Sequence, residues 1–162
     1  VAHWTAQTLL HRGAEVYVLG RYDEKLQRLP GSIHRINIRT NDNIESTFKD
    51  KEIAVIVDTI GSTKNILRFL PLMKRDSHWV NAGFFSKDYM LDLRELVEKE
   101  VTLHLANGRT PERMRATFDA ISQNILQTEN LITHRFPAEQ AAKAWEAILD
   151  KGQLCLGVVL DW

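Results

Sequence analysis

VAHWTAQTLLHRG (1–13), followed by AEVYVLGR (14–21), is the stretch that decides the fold. Ala2, Ala6, Leu9 and Leu10 fall at steps of three and four, which is one face of a helix at 3.6 residues per turn. Gly13 stands where a helix stops on a left-handed residue. Val16, Tyr17, Val18 and Leu19 make a continuous apolar run, as a strand covered on both faces requires. Gly20 and Arg21 end that strand roughly 20 residues after the helix start, where a dinucleotide-binding βαβ unit meets the adenosine ribose. The stretch therefore reads as the back half of such a unit. No strand and no G-x-G-x-x-G loop stands before Ala2. That puts Ala2 in the third-glycine slot of the fingerprint and implies a sheet whose first strand is missing from this chain.

Length and composition bound the rest. One hundred and sixty-two residues suffice for one domain with a real core. A hydrophobic fraction of 44% and a charged fraction of 26% are ordinary for a globular chain. Lysine plus arginine equals aspartate plus glutamate at 21 each, which argues against nucleic acid as a partner. A single cysteine, Cys155, excludes an internal disulfide and a cysteine-rich zinc site, and it favours a reducing, cytoplasmic setting. No apolar run reaches the length of a membrane span, and nothing reads as a signal peptide.

Onward from Arg21, residues 23–29 predict a short helix stopped by Pro30-Gly31, and 33–38 a short strand. Residues 43–49 predict a weak helix capped by Asp42 or Asn43. Ile53-Ala-Val-Ile-Val-Asp58 has five consecutive apolar residues with β-branching and predicts a central parallel strand. Ser62 can cap a helix running to about Lys74, with Ile66, Leu67, Leu70 and Met73 inward and Pro71 kinking or ending it. Residues 79–85 predict the next strand, 93–99 a helix, and 101–106 a strand closed by Asn107-Gly108. Thr110-Pro111-Glu112 is a strong helix start, and Met114, Phe118, Ile121 and Ile125 define its inward face. A loop over 132–137 leads to a last helix with Ala141, Ala144 or Trp145, Ile148 and Leu149 inward, ending at Gly152. Residues 154–160 predict a final strand that buries Cys155.

Strand and helix alternate throughout, so the class is α/β with a Rossmann-type, doubly wound, mostly parallel sheet. Ligands of such sheets lie outside the carboxyl ends of the strands. Those ends are Gly20-Arg21, Thr59-Ile60-Gly61, Gly83-Phe84-Phe85 and Asn107-Gly108. Residues 1–130 read as a dinucleotide-binding domain. Residues 131–162 read as a tail that packs on it or returns to a domain outside this chain.

Several strings together carry a resemblance. Thr5-Ala-Gln with Arg12-Gly-Ala14, Val57-Asp-Thr-Ile-Gly61, Val80-Asn-Ala-Gly-Phe84, Lys99-Glu-Val-Thr-Leu103 and Leu131-Ile-Thr-His-Arg-Phe-Pro137 stand in order. At that spacing nearly the whole chain resembles the cofactor-binding domain and C-terminal tail of medium-chain dehydrogenases. Leu131-Ile-Thr-His134, Ala82-Gly-Phe84 and Leu160-Asp-Trp162 look most like the branch of that family in bacteriochlorophyll, hence chlorophyll-type and photosynthetic, biosynthesis. The resemblance implies a nicotinamide-dependent oxidoreductase using NAD. It implies a small-molecule substrate, a tetrapyrrole, whose hydroxyethyl group is oxidised to acetyl. It also implies homodimerisation as an option. The family commonly ends its second strand in an acid that binds the adenosine ribose, whereas Gly20-Arg21 stands here. A lost carboxylate beside an arginine is the arrangement that accommodates the 2′-phosphate of NADP.

The cofactor-binding candidates are thus Ala2, Gly20, Arg21, Thr59, Ile60, Gly83, Phe84, Phe85 and Asn107. Each has a plainer reading. Gly20-Arg21 could be a turn glycine and a solvated arginine. Gly83-Phe84-Phe85 could be a glycine turn before two core phenylalanines, and Asp58, which could be a ligand contact, could instead cap the strand end or the following helix. His3, His11, His34, His78, His104 and His134 make no H-E-x-x-H motif and no i, i+4 pair, so the sequence indicates no metal. His134 is expected to make a structural hydrogen bond. No nucleophile elbow is present, and no catalytic base stands out. The competing reading is a non-enzymatic nucleotide sensor or interaction module of the same fold.

Overall fold

The computed structural model describes residues 1–162 apart from 42, 85–89, 107–109 and 151. The chain folds as two compact units, one of residue 1 with 42–110, the other of 2–41 with 111–162. All strand pairs among the described residues are parallel, and they form three separate sheets of two, three and two strands. No helix among the described residues is long and apolar enough to cross a membrane.

In the unit of 2–41 and 111–162, the helix face read from the sequence is the one that packs. Helix α1 (Ala2–His11) ends at Gly13, whose φ is +83°. A left-handed stop of this kind suits a residue without a Cβ. Strand β1 (Tyr17–Gly20), helix α2 (Asp23–Leu26) and strand β2 (His34–Asn37) follow, with Tyr17 opposite His34 and Gly20 opposite Asn37. Ala6, Val16, Leu26, Leu29 and Ile33 are buried together, and Leu9, Leu10 and Val18 pack against them. Side chains of this type contribute on the order of 1.5–3 kcal/mol each when fully buried. The buried Gln7 side chain accepts from the Gln127 backbone N–H at 2.7 Å, and Arg28 and Asn130 exchange hydrogen bonds with each other's carbonyls.

The rest of that unit corrects the sequence in three places. Helix α5 (Pro111–Ser122) starts as expected but buries none of its residues; Met114 and Phe118 are exposed. Residues Ile132–Pro137, expected as a loop, form strand β6, paired with β7 (Gly157–Asp161). β-Branched and aromatic residues at 132, 133 and 136 outweigh the punctuation of Pro137, which stands at the strand's end. Helix α6 (Ala141–Leu149) stops before Gly152 and buries Ala144 and Ala147, while Trp145, Ile148 and Leu149 are exposed. The final strand begins only at Gly157, so Cys155 precedes it and is half-buried rather than in a core.

In the unit of residue 1 and 42–110, strand β3 (Ile53–Asp58) pairs with β4 (Met73–Asn81), which pairs with β5 (Thr102–Leu105). Among the described residues β3 has a partner on one side only, and Val55 is exposed, so it is not the central strand its apolar run predicts. The helix expected over 62–74 is α3 (Thr63–Leu67) followed by a 3-10 turn at Leu70–Leu72. Pro71 cannot donate into a helix and ends it. Ser62 stands at the N-cap without a side-chain bond, and Met73 is buried as the first residue of β4 rather than on a helix. Strand β4 therefore begins six residues earlier than the aromatic run at 79 suggests. The helix expected over 43–49 is a 3-10 turn, Ile44–Phe48, capped by the Asn43 side chain, which accepts from the Ser46 N–H. Asp42, the other cap considered, lies outside the described residues. Helix α4 (Arg94–Val97) is shorter than expected. Ile66, Leu70, Met73, Trp79 and Leu96 form this unit's core.

Candidate functional site

The carboxyl ends of β3 and β4 are joined backbone to backbone. The buried Asp58 carboxylate accepts from the N–H groups of Ile60 at 2.8 Å, Gly61 at 3.0 Å and Ser62 at 2.8 Å. It thus holds the turn after β3 in one shape, the plainer of its two readings. Gly61 has φ +84°, and a Cβ there would stand 2.5 Å from the carbonyl carbon of Phe84. A Cβ on Gly83 would stand 2.5 Å from the carbonyl carbon of Ile60. Atoms of backbone cannot swing aside as side-chain ends do, so both positions require glycine. Asn81 closes the other turn: its side chain accepts from the Gly83 N–H and donates to the Gly83 carbonyl, each at 3.2 Å. The Ala82 N–H donates to the Asp58 carbonyl at 2.8 Å, and the Ala106 N–H to the Asn81 carbonyl at 3.2 Å.

Two apolar side chains stand on this fixed rim. Ile60 is 57% exposed and Phe84 96% exposed. Phe84 is therefore not a core residue, which removes half of the plainer reading; the glycine turn is present as well. The structure brings Thr59, Ile60, Gly83 and Phe84 together. Phe85 and Asn107 lie outside the described residues. An open apolar edge flanked by backbone groups is suited to a flat ring held by its polar substituents.

Ala2, Gly20 and Arg21 belong to the other unit. Ala2 opens α1. Gly20 ends β1, and a Cβ there would come 2.9 Å from Leu26 Cδ2, so the glycine lets α2 sit close to the strand. Arg21 is exposed. Two further cations stand nearby in sequence order and were not evident from it: Lys25 Nζ and the Arg39 guanidinium lie 5.3 Å and 5.5 Å from the Tyr22 ring. Asp23, the acid closest after Arg21, accepts from the Asn37 side chain at 2.9 Å. Asn81 was also not singled out; an asparagine ending an apolar strand before Ala-Gly is the signal that marks it.

His134 makes the structural bond expected of it, to the Thr133 hydroxyl at 2.9 Å. The Thr133 hydroxyl in turn donates to the Gly157 carbonyl at 3.1 Å, pinning β6 to β7. No group of three or more histidine, cysteine, aspartate or glutamate side chains is arranged to hold a metal among the described residues.

No family model matches the chain. It is 31% identical over 117 residues to 2-desacetyl-2-hydroxyethyl bacteriochlorophyllide A dehydrogenase of Cereibacter sphaeroides, which covers 72% of this chain and 36% of the relative. The protein of the same name from Rhodobacter capsulatus is 28% identical over 112 residues, 69% of this chain and 35% of the relative. The chain thus spans about a third of the length of the curated relatives it matches. Among solved structures, an Escherichia coli protein described as a short chain alcohol dehydrogenase, in complex with NADH, superposes with a TM-score of 0.82 at 23% identity, over 97% of this chain and 48% of the other. The 2R,3R-butanediol dehydrogenase of Bacillus subtilis superposes with a TM-score of 0.80 at 13% identity, over 95% and 46%. The resemblance to the cofactor-binding domain of medium-chain dehydrogenases is borne out, and with it the doubly wound parallel class.

Proposed function

We propose that this chain, a relative of hydroxyethyl bacteriochlorophyllide dehydrogenases with the fold of an alcohol dehydrogenase's cofactor domain, is the nicotinamide-binding portion of an alcohol-oxidising enzyme. The observation that carries this is the rim where β3 and β4 end: glycines in backbone contact, with Ile60 and Phe84 exposed above them. The residues present fit a nicotinamide. Ile60 and Phe84 supply an apolar wall, and the backbone of Phe84, beyond the turn that Asn81 holds at Gly83, supplies polar groups for a carboxamide. Gly20 and Arg21, expected from the sequence at the adenosine end, and Ala2 belong to the other unit and are proposed as nucleotide contacts of that unit by itself. When bound, the nicotinamide accepts a hydride from the alcohol carbon. The chain's own task is binding, orienting and keeping water from the reacting face. The substrate is proposed to be the hydroxyethyl group of a tetrapyrrole, oxidised to acetyl; the relatives are named as dehydrogenases of a hydroxyethyl bacteriochlorophyllide.

No residue among 1–162 is assigned as the proton acceptor for the alcohol. The chain by itself is accordingly expected to bind nucleotide and to leave alcohol unoxidised. Between the cofactors, the glycine at position 20 and the cations Arg21, Lys25 and Arg39 support NADP, whereas the resemblance supports NAD. Calorimetric titration of the folded chain with each coenzyme tests the proposal. Saturable binding of one or both is expected, and its absence with both would remove the assignment.

A further inference from the structure

The open face of the three-stranded sheet carries a second arrangement with chemical content, independent of the coenzyme reading. On β4 and β5, Val80 stands opposite His104 and His78 opposite Thr102. His78 and His104 are therefore diagonal neighbours on one face, opposite to the face that buries Ser77 and Trp79. Both are exposed. His78 Nδ1 and His104 Nε2 are 3.0 Å apart, with ring centroids at 5.2 Å and planes at 48°. Which ring donates depends on the tautomer.

That separation is the bite of a chelate. Imidazole nitrogens bind zinc-like ions at about 2.0–2.1 Å, so two of them in adjacent coordination positions stand about 2.9–3.4 Å apart. The ion would stand off the line between the two nitrogens, so each lone pair must turn by roughly 40° from the hydrogen-bonded direction to meet it. We propose that His78 and His104 form a two-histidine site for a divalent transition metal ion, with water in the remaining positions. Imidazole selects the borderline ions, and affinity should follow copper(II) over nickel(II). Metal requires neutral imidazoles and so competes with protons at this site. The spacing of 26 residues between the two histidines hides the pair from any local motif.

The test uses the full chain free of any oligohistidine tag and blocked at its amino terminus, so that the amine, the first amides and the imidazole of Val1-Ala2-His3 do not themselves chelate copper or nickel. Copper(II) and nickel(II) chlorides are titrated by calorimetry, and copper-bound protein is examined by electron paramagnetic resonance. The expected result is one ion per chain with copper the tighter, two imidazole nitrogens in the copper spectrum, and a melting temperature raised by metal. His78→Gln and His104→Gln should each weaken binding on the order of tenfold or more and abolish the thermal shift. His11→Gln, an exposed histidine elsewhere, should bind as the parent does. Binding retained in both single variants, no saturable one-to-one event, or fewer than two nitrogens on copper in the parent would each overturn the proposal. The spectrum of the parent decides even if a variant fails to fold.

Discussion

Gly83 has no room for a side chain. A methyl there meets the backbone of Ile60 and Gly61, so Gly83→Ala should lower stability by about 1–3 kcal/mol, read as the shift in the urea midpoint. An unchanged midpoint would show that the two turns do not touch. Phe84 gives the complementary result, because its side chain is almost wholly exposed and packs on nothing the fold needs. Phe84→Ala should leave the urea midpoint where it is and weaken NADH binding on the order of tenfold, followed by the coenzyme's fluorescence. Equal affinity in the two proteins would take Phe84 out of the site. One residue thus holds the rim's shape and the other lends it a surface.

At the scale of elements, the turn after β3 depends on one carboxylate. Asp58→Ala leaves three backbone N–H groups without their acceptor, one of them, at Gly61, buried, and should cost about 1–3 kcal/mol in the same measurement. The Arg68 side chain of the residue capping α3 hydrogen-bonds Glu45 on the 3-10 turn and holds its carboxyl below the usual carboxylate range. A depressed folded value means that the contribution is present at neutral pH and is lost as pH falls through that value. Glu45→Gln should therefore flatten the acid side of the stability curve, and 1 M salt should shrink the difference. An identical acid limb in variant and parent would assign the pair no role in stability.

The elements show what the sequence made legible. Helix α1, its glycine stop, and strands β1, β3 and β5 follow from periodicity and β-branching alone, and the strand ends placed the candidate rim. Strand β4 was half-hidden because Lys74, Arg75 and Asp76 are exposed polar residues at its start, which break the apolar run without breaking the strand. Helices α5 and α6 show a different limit. Amphipathic spacing identifies the apolar face of Met114 and Phe118, or of Trp145, Ile148 and Leu149, but not whether this chain supplies what covers it. The Asp58 cap is local and legible in the sequence, whereas the contact of Gly61 with Gly83 and the pairing of His78 with His104 are tertiary facts that no local pattern encodes.

For the molecule as a whole, the role proposed is that of a coenzyme-holding portion of a larger enzyme. It spans about a third of its curated relatives, so alcohol oxidation is proposed for the complete protein. Coenzyme choice is a whole-molecule property that a single side chain can report. If Arg21 faces a 2′-phosphate, Arg21→Ala should weaken NADP several-fold and leave NAD within a factor of about two. Equal losses for both coenzymes would place Arg21 on a phosphate that they share, and no loss for either would leave it a solvated side chain. The most direct test of the central claim is the amide spectrum of isotopically labelled chain during an NADH titration. The account predicts saturable shifts at Thr59, Ile60, Gly61, Gly83 and Phe84, where β3 and β4 end. Shifts confined to the opposite ends of those strands, around Ile53 and Met73, would contradict it.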